Sequence, residues 1–107
     1  MSEELFKDRL YLDEVKTQIE KDLGIAGFEF QQASYLNLEE LLPELIEAVA
    51  RIRTQTPEKW MKIIYRVDLT EKQYRFVQAM GGDTHENMAK AIVLRCFQKV
   101  HTRKNYI

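Results

Sequence analysis

The sequence predicts an all-α fold, a compact bundle of about five helices packed as one domain over residues 1–107, with the last helix central. Three observations carry this. Apolar residues recur at helical spacing along most of the 107 residues, helix start signals recur between those runs, and no two segments carry paired strand patterns. The stretch from Asp83 to Arg103 is the organising element. Ala89, Ile92, Val93, Cys96, Phe97 and Val100 crowd one side, while Met88, Ala91 and Leu94 spread apolar character over much of the rest. A surface helix needs an apolar stripe of only about 100°, so a helix over 84–103 is expected to be wrapped by neighbours on several sides.

The first helix is expected at about 3–23. Ser2, Glu3 and Glu4 suit its positive end, and Leu5, Leu12, Val15, Ile19 and Leu23 trace one stripe towards Gly24, read as the cap. Phe6 and Leu10 fall off that stripe. Residues 24–37 are irregular: Phe28 and Phe30 alternate with polar neighbours, but a lone strand has nothing to pair with. The expected role is an ordered connector pinned by Phe28, Phe30 and Tyr35.

Asn37 can cap a helix over 38–54, in which Pro43 forces a break or a kink because it has no amide and crowds the preceding turn. Leu42, Leu45, Ile46, Val49 and Ile52 face inward, Glu44, Glu47, Arg51 and Arg53 outward. Thr56-Pro57-Glu58 starts a helix over 57–67. Thr70 and Gln73 form a capping box for a helix over 70–80, with Leu69 stapled on Tyr74 and Phe76, Val77 and Met80 inside. Gly81-Gly82 ends it, Asp83 and Glu86 offer a second capping box, and the tail from Lys104 is expected to fray.

Composition narrows the function classes. A chain that is 45% apolar and 31% charged is an ordinary globular protein. A single cysteine, Cys96, excludes an intrachain disulfide, and its apolar neighbours point to a buried, inert thiol. No run approaches a membrane span, and the charged start lacks the pattern of a secretory signal, so the expected location is cytoplasmic with no membrane contact. The net charge of −1 hides an asymmetry: residues 1–56 hold twelve acids against six bases, residues 57–107 five against ten. Those halves can neutralise each other within one fold or between subunits.

No catalytic motif is complete. His85-Glu86 opens like a zinc-protease helix, but Ala89 stands where the second histidine belongs. His85 and His101 lie about 24 Å apart along one helix and cannot share a metal within one copy. The paired acids fit helix first turns and solvated faces. The expectation is therefore no catalysis, no metal and no cofactor.

Two binding roles remain. The leading expectation is a protein–protein interaction or self-association module, partnered by a second copy in a homodimer or by another protein, with Phe6, Leu10, Tyr11, Trp60 and Tyr65 as interface residues. The alternative is a nucleic-acid-binding or regulatory domain. There the helices over 57–67 and 70–80 approximate a helix-turn-helix, and Lys72, Gln73, Arg75, Gln78, Lys99, Arg103 and Lys104 supply the donors.

Overall fold

A computed structural model describes residues 3–7 and 9–105, with side chains from Leu5 onward. Helices α1 (Glu3–Phe6), α2 (Leu12–Asp22), α3 (Leu42–Gln55), α4 (Pro57–Val67), α5 (Glu71–Ala79) and α6 (Thr84–Asn105) are joined by short links, except for the connector between α2 and α3. There is no strand among the described residues. One long α6, four helices of nine to fourteen residues and the four-residue α1 make the all-α bundle. Its Cα radius of gyration, 13.1 Å, is that of a tightly folded chain of this length.

Helix α6 lies at the centre because it is apolar nearly all round. Met88, Ala89, Ala91, Ile92, Val93, Cys96 and Val100 are buried, and α2, α3, α4 and α5 all pack against it. Its last turn runs past the expected end at Arg103. Lys104 meets Glu14 of α2 at 3.4 Å, and the Asn105 side chain donates to the His101 carbonyl at 2.8 Å, which ties down the backbone expected to fray. Tyr106 and Ile107, like the Ser2 start signal, lie outside the described residues.

The first helix is not continuous over 3–23. It breaks after Phe6 and resumes at Leu12, with Tyr11 in the left-handed region at φ 60°. That conformation costs a non-glycine residue about 1–2 kcal/mol. The break turns α1 against the turn at Leu38–Leu41 and buries Phe6, which an unbroken helix would hold off the core stripe. Full burial of a phenylalanine contributes about 1.5–3 kcal/mol, enough to offset the strained turn. At the other end, Gly24 is not the cap. The chain tightens into a 3₁₀ turn at Gly24–Ala26, and Gly27, at φ 72°, takes the left-handed position.

The connector is pinned as expected, with Phe28, Phe30 and Tyr35 buried and their rings edge-on in sequence at 4.8 and 5.7 Å. Three carboxylates fasten its backbone. Glu20 accepts from the Phe30 amide at 3.0 Å, Glu40 from Leu36 at 2.8 Å, and Glu44 from Gln31 at 2.7 Å. Glu44 also accepts from the Tyr35 hydroxyl. Burial, then that hydrogen bond, push the Tyr35 phenol above its usual range. Glu44 therefore faces the connector and not open solvent, a correction to its expected outward position. Glu44→Ala should lower stability by about 1–2 kcal/mol and speed hydrogen exchange at the Gln31 amide, while α6 amides keep their order of protection. Unchanged exchange at Gln31 would show that the carboxylate does not hold the connector.

Just before Pro43 the helix type changes, with helical backbone continuing through Leu41 and Leu42. Residues Leu38–Leu41 form a separate 3₁₀ turn, capped by Asn37 accepting from the Glu40 amide at 3.1 Å, and the proline sits in the first turn of α3. The Thr70–Gln73 capping box forms in both directions, at 3.0 and 3.1 Å. Two other start signals act differently. Thr56 donates its hydroxyl back to the Ile52 carbonyl at 3.2 Å, closing α3 in place of capping α4. Asp83 takes the amides of His85 and Glu86 at 2.9 and 3.2 Å, while Glu86 turns to Lys90 at 3.6 Å.

Helix α5 buries less than its sequence predicts. Val77 is buried, but Phe76 is 69% exposed and Met80 is also at the surface. The reason is geometric. A helix of two and a half turns that packs chiefly on α6 buries one narrow stripe, and Phe76 sits about 100° round from Val77.

Candidate interaction groove between α5 and α6

The exposed Phe76 ring stands at the mouth of a groove of about 350 Å³ between α5 and α6. Its apolar lining is Leu69, Phe76, Val77, Ala91 and Leu94, and its rim carries Lys72, Gln73, Arg95 and Gln98. Each part follows from local sequence. Leu69 precedes the Thr70 cap and is tucked against the core, Val77 anchors α5 on α6, and Ala91 is small enough to leave room between the helices. Arg95, four residues after Ala91, reaches across to the end of α4. There it donates to the Asp68 carbonyl at 3.4 Å and its carboxylate at 3.1 Å. Asp68, at φ 69°, is the left-handed cap of α4, so Arg95 braces the turn that starts α5.

Along α6 the rim continues into an open hollow of about 410 Å³ lined by Gln18, Arg95, Lys99, Thr102 and Arg103. Arg95, Lys99 and Arg103 recur every four residues and so form one cationic row. Beneath it is a buried polar network. Asp22, 4% exposed, accepts from Lys99 Nζ at 2.8 Å and Gln18 Nε2 at 3.0 Å, and Cys96 Sγ lies 3.6 Å away. Lys99 also donates to the Arg66 carbonyl at 2.8 Å, and Arg103 to the Gln18 side-chain oxygen at 2.8 Å. Burial first, and the Asp22 carboxylate second, drive the Cys96 thiol far above its usual range. A thiol held protonated in this way is a poor nucleophile.

The network also locates the charge asymmetry. Lys99–Asp22 and Lys104–Glu14 join the basic end of α6 to α2, so part of the acidic first half is neutralised by the basic second half inside the fold.

The expected interface residues scatter. Phe6, at 6% exposure, and Trp60, at 3%, are in the core and present no docking surface. Trp60 Nε1 donates to the Tyr74 hydroxyl at 2.9 Å, and the Arg53 guanidinium lies over its ring at 5.7 Å. Leu10 is exposed, and Tyr11 is half-buried beside Phe97 and His101, whose rings stack within 9° of parallel. Tyr65 is 88% exposed on α4.

The expected nucleic-acid donors are largely engaged. Gln73 is in the capping box, Arg75 pairs with Glu71, and Lys99, Arg103 and Lys104 bond to α2. Lys72 and Gln78 stand exposed on α5. His85 is half-buried, and its Nδ1 lies 3.1 Å from an Arg53 guanidinium nitrogen. No cluster of three or more metal-ligating side chains occurs among the described residues, and none of their helices is long and apolar enough to cross a membrane.

The groove residues Phe76, Leu94, Arg95 and Gln98 were not singled out as functional by sequence reasoning. The available signal was the short length of α5, which cannot bury both Phe76 and Val77.

No family model matches the chain, and neither a curated protein nor a solved structure does. The function is therefore read from the groove itself.

Proposed function

We propose that this protein is a non-catalytic protein–protein interaction module whose docking surface is the α5–α6 groove. The observation that carries the reading is Phe76: a large aromatic ring, 69% exposed, at the mouth of an apolar groove rimmed by donors. Aromatic anchors set in desolvated pockets and ringed by polar groups are the usual energetic centres of protein interfaces. The lone buried thiol fits a reducing compartment, and the cytoplasm is the proposed location. Nucleic-acid binding ranks second, because most of its expected cations already hold partners within the fold.

Selection of a displayed peptide library on the full chain tests this. The enriched peptides should share apolar anchors and lose binding to Phe76→Glu. That variant should keep its helical circular dichroism and change stability by no more than about 0.5 kcal/mol, as for other surface positions. No enrichment, or enrichment indifferent to Phe76→Glu, would overturn the reading. Light scattering across a dilution series of wild type and Phe76→Glu then shows whether the occupant is a second copy. A dimer lost in the variant identifies self-association through the groove.

A further inference from the structure

We infer that the groove's occupant is an acidic amphipathic helix, seating apolar side chains beside Phe76 and turning its carboxylates towards Lys72 and Arg103. The inference rests on the groove being a docking surface and adds the chemistry of what docks there.

The helical form follows from the surroundings. The described residues offer no sheet edge for an extended segment to join, so main-chain pairing is not available to a partner. Two helices flanking an apolar trough leave room for a third, at the usual interaxial spacing of about 8–10 Å. A volume of about 350 Å³ suits a few side chains of a helical face and not a whole folded domain.

The acidic character follows from charge. Lys72, Arg95, Lys99 and Arg103 border the groove and its continuation, against the carboxylates of Asp68 and Asp22. Asp68 and Asp22 balance Arg95 and Lys99, so the net positive charge of the track is that of Lys72 and Arg103. Asp22 is buried beneath Lys99, so its charge is turned inward, while Lys72 and Arg103 are exposed. Arg103 spends one guanidinium nitrogen on Gln18 and keeps further donors for a ligand. From Leu94 to Arg103 the track covers roughly 13 Å of helix axis. A partner of similar pitch therefore carries its anchors one turn apart and an acid for Arg103 about two and a half turns further along.

Nucleic acid shares the negative charge but not the apolar anchor. It also gains most from counterion release at free cations, whereas Arg75, Arg95 and Lys99 are already paired.

The test uses the full chain labelled with nitrogen-15 and two synthetic lactam-stapled helical peptides. Both carry leucine and phenylalanine one turn apart; one bears glutamate at the acidic positions, the other glutamine. The glutamate peptide should shift the amides of Phe76, Leu94, Gln98 and Arg103 and bind about fivefold more tightly than the glutamine peptide, an advantage that salt erodes. The gap should close in Lys72→Gln with Arg103→Gln; Arg103 also bonds the buried Gln18, so circular dichroism of the double variant checks that the helical fold is kept. Equal binding of both peptides would overturn the acidic partner while leaving the groove as a docking site. Failure of both peptides to shift the Phe76 and Leu94 amides would overturn the docking reading itself. A single-stranded oligonucleotide that shifts the same amides and displaces the peptide would overturn the inference in favour of nucleic acid.

Discussion

Lys99→Ala should destabilise the protein by about 3–5 kcal/mol, because it strands Asp22 as a buried carboxylate without its cation. Asp22 would retain only Gln18 Nε2 and the weak Cys96 thiol as partners, and the Arg66 carbonyl would lose its donor as well. Chemical denaturation of the wild type and the variant at neutral pH measures the loss. One further result follows from the same physics. The double variant Lys99→Met with Asp22→Leu should cost less than Lys99→Ala alone, because an apolar pair needs no compensating charge. A single-variant loss below about 1 kcal/mol would place the pair with solvated surface ion pairs and remove it as the link between α2 and α6.

Trp60→Ala should cost about 3–5 kcal/mol, whereas Tyr65→Ala on the same helix should stay within about 0.5 kcal/mol. The sequence marks both as aromatic candidates for a contact surface, and tertiary packing separates them. Trp60 is 3% exposed, bonds the Tyr74 hydroxyl and carries the Arg53 guanidinium on its ring; Tyr65 is 88% exposed. The truncation leaves a cavity and a half-buried hydroxyl without its donor. Thermal unfolding followed by circular dichroism distinguishes the two. A Trp60→Ala loss no larger than that of Tyr65→Ala would mean that α4 packs on the bundle through other contacts.

These two predictions also separate stability from function. Lys99 belongs to the cationic row, but its ammonium is bonded to Asp22 and the Arg66 carbonyl and holds the fold, so its replacement is a poor probe of binding. Phe76, Lys72 and Arg103 are exposed and are the right positions to alter. Glu44 shows the converse. Its side chain holds the connector without entering the core, and its loss should act locally.

Much of the architecture was legible because it depends on short-range rules. The run from Met88 to Val100 is apolar on too many sides for a surface helix, and α6 proved central. Thr70 and Gln73 are three residues apart, the spacing at which each side chain reaches the other's amide, and the capping box formed. Pro43 could only begin a helix or deform one, and it sits in the first turn of α3. The helical periodicity of Leu42, Leu45, Val49 and Ile52 was sufficient to place their burial.

What the sequence left open depended on which neighbour each element met. Nothing between Lys7 and Tyr11 breaks a helix by composition; the break exists because α1 can then bury Phe6 against the turn at Leu38–Leu41. Thr56 has the chemistry of a cap, yet its hydroxyl found the Ile52 carbonyl first. The basic second half was visible as a count, but a count does not show that Lys99 and Lys104 meet acids on α2, or that Arg95 reaches Asp68. The candidate groove belongs to the same class. Local periodicity specifies that α5 is a helix, while its exposed Phe76 and the space above Ala91 follow from α5 packing chiefly on α6. Helix formation is written in spacings of three and four residues; which side of a helix is covered is decided only when the other helices arrive.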